Sequence, residues 1–507
     1  MAGSSARSPA ASVPAVGRRA RFLIAAVSAA LALVVGWSVA AGPAPPPASA
    51  ATRSPATTSP GAVVPKSVIE PTPPRPQLRT CDLGMPRPFE CGHIVVPALR
   101  GDPALGTTKV AFAIRRRRDT SQPSLGAIVA MDGGPGYAAT AKPYAASLIA
   151  ALGPVLRRRD LVLYDMRGTG RSDAIDCPAL QAGLTQESIA IGQCANQLGP
   201  RYAGYTSAEG AEDLDLLRRA LGLGKIFFYG DSYGTFFGQA YAVRHPGSLR
   251  GLILDSAYPG NDPYYRTLLP AGLEGLRIAC RDAPTCGGDP VARLTRVVGI
   301  FHRRRLSTEP LISFLLEAGT LAPRSYLSLD EGDRRFLAGE PRRLDRLLAP
   351  GPAGEKLSEY SNGLAISVEC NDYKLLWDAA APLSRRIAEL SAAVRGLPRN
   401  FFAPFGRKEY LLSQAARLTP CLYWPGPPAG GFPAPIPSGW RAPRSFPTLI
   451  TAGQVDDVTS VREAHQVQAR FPRSHLYVVP DRGHVSSLYF PFRSPAVGVI
   501  RRFITAH

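Results

Sequence analysis

Short runs of consecutive apolar residues, each closing on glycine or aspartate, recur along the chain. Ala127–Met131 runs into Gly133-Gly134-Pro135-Gly136, and Leu161–Tyr164 into Asp165 and Arg167-Gly168-Thr169-Gly170. Ile226–Tyr229 runs into Gly230, and Leu252–Leu254 into Asp255. Apolar runs without polar alternation predict strands buried on both faces, as in a parallel sheet. Helical stretches lie between them. In Ala208–Leu221, Leu214, Leu216, Leu217 and Leu221 fall at near-helical spacing, with acids early and Arg218-Arg219 late, as the helix dipole favours. Alternating strand and helix predicts an α/β fold.

The rhythm breaks after Tyr258-Pro259-Gly260, and from there to Arg441 the chain reads as helices and Pro-rich loops. Strand patterns resume at Pro447–Ala452 and Leu476–Val479. The economical reading is one α/β core, 80–259 and 442–507, interrupted by a large, mainly helical cap over 260–441. Such a cap would sit over the C-terminal strand ends, where these sheets bind ligands.

The chain ahead of the core has a different character. Arg18, Arg19 and Arg21 precede the apolar stretch Phe22–Ala41, and Ala48-Ser49-Ala50 follows. Residues 1–50 therefore read as a secretory signal, or as an uncleaved membrane anchor. The Pro-, Ser- and Thr-rich stretch 51–79 reads as a linker. A secreted or cell-surface protein is expected. The 59 Lys and Arg against 39 Asp and Glu give a net charge of +20. The arginine runs are scattered and no nucleic-acid motif accompanies them, so they read as solvated surface and nucleic acid is not an expected partner. All eight Cys lie past the signal, and export makes disulfides plausible. Eight Cys allow 105 pairings. Sequence neighbours suggest Cys81–Cys91, Cys177–Cys194, Cys280–Cys286 and Cys370–Cys421. No C-x-x-C occurs and no His-Cys cluster has zinc-ligand spacing, so no metal site is predicted.

Gly230-Asp231-Ser232-Tyr233-Gly234 fits G-x-S-x-G, directly after an apolar strand and before the helix-like Thr235–Arg244. That is the context of a nucleophile elbow, with Ser232 as nucleophile. A Ser hydroxyl needs a base. Of seven His, His484 alone follows a strand within a Gly-containing loop, after Asp481-Arg482-Gly483. The others precede the sheet (His93), close a helix (His245), lie in the insertion (His302), sit in or beside a late helix or strand (His465, His475) or end the chain (His507). The acid should lie between them in order. Asp456, after the strand Leu449–Ala452, is the choice; Asp457 is its alternative, and either could instead cap the following helix. The oxyanion would take backbone N–H groups of Tyr233 and Gly134, with Gly133 the alternative to Gly134.

The GGPG turn, Asp165-Met166-Arg167-Gly168-Thr169-Gly170-Arg171-Ser172, the elbow, Gly453-Gln454-Val455-Asp456 and Gly483-His484 together resemble the proline iminopeptidase and tripeptidyl aminopeptidase group of α/β-hydrolases. The resemblance covers Arg79 to the C-terminus in outline. It implies a serine peptidase acting on free N-termini. Cys370-Asn371-Asp372 and Cys421-Leu422-Tyr423-Trp424 are similar to the group's cap cysteines, which favours the Cys370–Cys421 pair. Two departures concern the substrate region: Asp132 stands where the group often has His or Pro, and Tyr137-Ala138-Ala139 follows the turn.

An aminopeptidase must hold an ammonium, and a buried cation needs an anionic partner. Glu369 and Asp372 in the cap are the candidates. The expected activity is release of one to three residues from short peptides through an acyl-enzyme, without metal or organic cofactor. The alternatives are an exported carboxylesterase or lactone hydrolase on the same fold, and a non-catalytic binding protein.

Overall fold

The computed structural model describes residues 71–183, 187–260, 264–281, 283–350, 355–413, 418–489 and 492–507. The expected signal or anchor, and the linker as far as residue 70, lie outside these residues. No helix among the described residues is long and apolar enough to cross a membrane.

Nine strands form one sheet: β1 (Arg79–Cys81), β2 (Phe89–Pro97), β3 (Thr107–Arg115), β4 (Ala127–Met131), β5 (Asp160–Tyr164), β6 (Ile226–Asp231), β7 (Leu249–Asp255), β8 (Thr448–Gly453) and β9 (Ser474–Val479). Their order is β1-β2-β3-β5-β4-β6-β7-β8-β9. From β5 to β9 all pairings are parallel. β1 to β3 form an antiparallel edge that joins at β5. The apolar runs of the sequence are the central strands, and β4, β6 and β8 are buried along their whole length. A strand covered by helices on both faces has no polar side to show. The mostly parallel sheet and its helices are the α/β-hydrolase architecture expected from sequence. His93, expected ahead of the sheet, instead lies within β2 opposite Ala111.

The order places the site. The chain leaves β4 outward to β5, then returns to the other side of β4 as β6. The connections after β4 and β6 therefore diverge, opening a crevice at their C-terminal ends. The GGPG turn follows β4 and Ser232 follows β6, so both line that crevice.

Between β7 and β8 the chain is helical, in two parts. Helices Tyr264–Arg281, Pro290–Arg303, Glu309–Glu317, Arg324–Leu337 and Arg342–Leu347 pack around a second apolar cluster, including Leu276, Leu294, Leu311, Tyr326 and Leu344, which Phe402, Tyr410 and Val455 also enter. Helix Asn362–Asp372 instead sends Leu364, Ile366 and Val368 into the cluster that covers the sheet. Each fully buried Leu in either cluster contributes roughly 1.5–3 kcal/mol of transfer free energy. The four disulfides join Cys81–Cys91, Cys177–Cys194, Cys280–Cys286 and Cys370–Cys421, the pairs that sequence neighbours suggest.

Candidate active site

Ser232 sits between the last residue of β6 and the helix Tyr233–Arg244, with φ 51° and ψ −121°. A non-glycine residue at positive φ costs of order 1–3 kcal/mol and persists only where its surroundings dictate it. The surroundings here are tight. A Cβ on Gly230 would collide with the carbonyl oxygen of Gly234, and one on Gly234 would meet the Met131 carbonyl at 2.8 Å. The Ser232 N–H donates to the Asp255 carbonyl at 2.9 Å, fixing the turn to the end of β7. Tyr233 opens the helix, so its N–H has no intrahelical acceptor.

The loop after β9 carries His484, 7% exposed, and the loop after β8 carries Asp456, 3% exposed. His484 Nδ1 lies 2.9 Å from Asp456 Oδ2 and 3.2 Å from Oδ1. Asp456 also accepts the N–H groups of Val458 (2.9 Å) and Thr459 (2.8 Å) and the Thr459 hydroxyl (3.0 Å). A carboxylate accepting this many donors is held in one orientation. Asp457 faces away. It accepts the Tyr326 hydroxyl at 2.9 Å, and burial beside Asp456 drives its carboxyl well above the ordinary range. The following helix is capped by Ser460 with Glu463, not by either aspartate. The His484 loop is anchored next to the elbow, because the Val485 N–H donates to Ser256 Oγ (2.8 Å) one residue past the acceptor of Ser232. Among the described residues no hydrogen bond joins Ser232 Oγ to His484, a contact that often tightens only when substrate binds. Two other histidines are engaged elsewhere, His245 with Glu212 and His302 with Glu409.

The GGPG turn lies against the elbow. A Cβ on Gly133 would stand 2.7 Å from Ser232 Cβ and 3.3 Å from its Oγ. The Gly133 N–H donates to the Asp132 carboxylate at 2.7 Å, whereas Gly134 has no such acceptor among the described residues. Two segments clamp the turn from behind. Asp165 accepts Thr140 N–H (2.9 Å), Thr140 Oγ1 (2.6 Å) and Arg171 N–H (3.0 Å), while Thr169 Oγ1 donates to the Gly136 carbonyl. The Asp165–Ser172 motif is thus structural support. From the insertion, Ser361 N–H donates to the Gly136 carbonyl (3.0 Å), Ala138 N–H to Glu359 (2.9 Å), and Tyr137 packs on Tyr360 with centroids 4.4 Å apart. The Tyr137 hydroxyl donates to Glu355 at 2.9 Å.

Glu369 and Asp372 lie half-buried on helix Asn362–Asp372. Asp372 Oδ2 accepts the Ser207 N–H at 2.6 Å, at the start of helix Ser207–Ala220, and Ser207 Oγ meets the Tyr233 hydroxyl at 2.8 Å. Burial pushes the Asp372 carboxyl up to about 7, against the Ser207 bond. Asp372 Oδ1 is buried without a partner. The structure therefore joins Asp372 to the elbow through Ser207 and Tyr233 and gives it a helix terminus to cap. For metals, the described residues bring together one trio of suitable atoms, Cys280, Cys286 and Asp330. Its sulfurs are joined in a disulfide and Asp330 is paired with Arg293 and Arg334.

Thr459, Tyr326 and the 355–361 strap were not predicted. Thr459 is a near neighbour of Asp456 in sequence, whereas Tyr326 and the strap act across long sequence separations that nothing local marks.

Residues 127–287 match the model of the alpha/beta hydrolase fold family. A tripeptidyl aminopeptidase of Streptomyces coelicolor is 26% identical over 444 residues, covering 79% of this chain and 78% of that protein. The serine protease Hip1 of Mycobacterium tuberculosis is 25% identical over 427 residues, covering 73% and 76%. A solved proline iminopeptidase from Mycobacterium smegmatis aligns over 82% of this chain and 98% of its own, with 15% identity and a TM-score of 0.37. With the fold, the elbow and these relatives in view, the chain is a serine hydrolase of the α/β-hydrolase fold, similar to the tripeptidyl aminopeptidases and the Hip1 serine proteases.

Proposed function

We propose that this chain is an exported aminopeptidase that releases up to three residues from the free N-terminus of short peptides, with Ser232, His484 and Asp456 as its triad. The observation that carries the reading is the Asp456–His484 hydrogen bond at 2.9 Å, on a loop anchored beside the strained Ser232. Asp456 fixes the imidazole tautomer with its proton on Nδ1, leaving Nε2 to take the Ser232 proton. Ser232 Oγ then attacks the scissile carbonyl carbon. The oxyanion is held by the N–H groups of Tyr233 and Gly134, a donor pair in which each member contributes on the order of 10²–10³ in rate. His484 protonates the leaving amine, and water releases the acyl group by the reverse proton path.

Four further observations support the finer parts. The relatives' name, tripeptidyl aminopeptidase, points to three-residue release. Around the turn, the groups acting on Asp132 include Asp231, Asp165 and Glu355, an acidic neighbourhood suited to a peptide ammonium. Glu369 and Asp372 remain the proposed anchors in the insertion, with Asp372 Oδ1 the buried oxygen that an ammonium would satisfy. Four disulfides favour an oxidising compartment outside the cytosol.

The test uses chromogenic amides of one to three residues, free or N-acetylated, a simple butyryl ester, and Ser232→Ala as blank. Cleavage of the free amides and not the acetylated ones is expected, with the tripeptide best. Turnover of the ester alone would sink the peptidase reading in favour of a carboxylesterase.

A further inference from the structure

We infer that Asp132 and Asp231 act as a pair of positioning residues, joined by a shared proton that fastens the oxyanion turn to the nucleophile elbow. The inference rests on the reading of Ser232 as nucleophile and of the GGPG turn as its oxyanion site, and on nothing about the substrate.

The two carboxyls belong to neighbouring parallel strands. Met131 at the end of β4 pairs with Gly230 near the end of β6, so the residues that follow, Asp132 and Asp231, emerge side by side. Carboxyls set side by side in this way act on each other directly. A carboxylate has no proton to donate, so a hydrogen bond between them requires one partner to be protonated. The outer oxygens are spoken for. Asp132 Oδ1 accepts the Gly133 N–H at 2.7 Å, and Asp231 Oδ1 accepts the Tyr144 hydroxyl at 3.1 Å. The line Gly133–Asp132–Asp231 thus connects the turn to the residue before Ser232, beside the point where Gly133 meets Ser232.

The surroundings keep that proton in place. Asp231 is 3% exposed. Among the groups acting on the pair are Asp165 at the end of β5, Glu355 from the insertion, Asp255 at the end of β7, and the hydroxyls of Tyr144, Tyr229 and Tyr489. These are acids and phenols. Burial and this like charge raise both carboxyls, so the pair holds at least one proton at neutral pH. Once the last proton leaves, two anions stand in contact at low dielectric and must separate, taking Gly133 with them. A displacement near 1 Å at such a point costs about 10²-fold in rate.

The rate of Ser232 phosphonylation by a fluorophosphonate, in which Ser232 Oγ displaces fluoride, is to be followed from pH 6 to 10 in the full chain. Asparagine at 132 can accept from Gly133 and donate to Asp231 with a hydrogen that does not titrate; alanine can do neither. Asp132→Ala should slow labelling about 10- to 100-fold, and Asp132→Asn should recover most of that loss. Wild type should fall at the alkaline end, and Asp132→Asn should not. Thermal melting monitors folding, and if the alanine variant does not fold, the wild-type and asparagine profiles decide. Identical alkaline behaviour of wild type and Asp132→Asn would overturn the pairing, as would equal losses in the asparagine and alanine variants. Absence of labelling in wild type would instead refute Ser232 as nucleophile.

Discussion

Adjacent aspartates at 456 and 457 differ in partners more than in chemistry. Asp456 turns toward His484, and Asp457 turns toward Tyr326. Asp456→Asn removes the acceptor that fixes the imidazole tautomer and is expected to lower kcat on the order of 10⁴-fold. Asp457→Asn keeps a buried hydrogen-bonding side chain against Tyr326 and is expected to cost less than about tenfold, since it leaves the Asp456–His484 bond in place. Steady-state kinetics on one amide substrate compare the two directly, and equal losses would break the distinction. Ser232, His484 and Asp456 could be named as candidates from sequence because strand, turn and glycine mark each of them locally. The choice between 456 and 457 could not be settled that way. It depends on Thr459 and Tyr326, the latter 131 residues from its partner, and no local pattern encodes that approach.

At the scale of elements, the six parallel strands were readable because each contains a short, mostly apolar run followed by turn residues. The antiparallel edge was not. β2, with sequence FECGHIVVP, alternates burial only in part and carries Glu90, Cys91 and His93, so it resembles a loop until paired with β3. The helices of the insertion were foreseen as helices, but their buried charges were not. In helix Arg324–Leu337, Asp330 is neutralised by Arg293 and Arg334, whereas Asp333 is fully buried with neither oxygen bonded. Burial, with Asp330 nearby, pushes Asp333 up to about 8. Its folded-state value lies above the unfolded one, so the folded chain binds the extra proton. Its contribution to stability is complete below about pH 4 and is lost as pH rises toward 8. Asp333→Asn should therefore flatten the decline of Tm between pH 5 and 8. An unchanged slope in paired melting curves would show that Asp333 does not titrate on unfolding.

The described residues hold three apolar clusters, two against the sheet and one built mainly on the first five helices of the insertion. Composition predicted ample core, but it could not say that the insertion would be shared between one of the sheet's clusters and one mainly its own. Cys370 and Cys421 belong to the sheet's cluster that the insertion enters, and their disulfide spans 51 residues of the insertion. Loop closure of that length stabilises by about 4 kcal/mol. The double variant Cys370→Ala/Cys421→Ala should lose a comparable amount in equilibrium denaturation, and a loss under about 1 kcal/mol would mean that packing alone holds this part of the insertion. The cluster built mainly on the insertion has a closer tie to the chemistry. Gly319, just after helix Glu309–Glu317, gives its carbonyl to the His484 N–H at 2.8 Å, and Gly483 is pressed so close to that carbonyl that any side chain there would collide. The insertion is thereby part of the seat of His484, the proposed general base. Pruning the first five helices to fit bulkier substrates would unseat His484, so a minimal version of this enzyme has to keep residues 318–322 even if it discards everything around them.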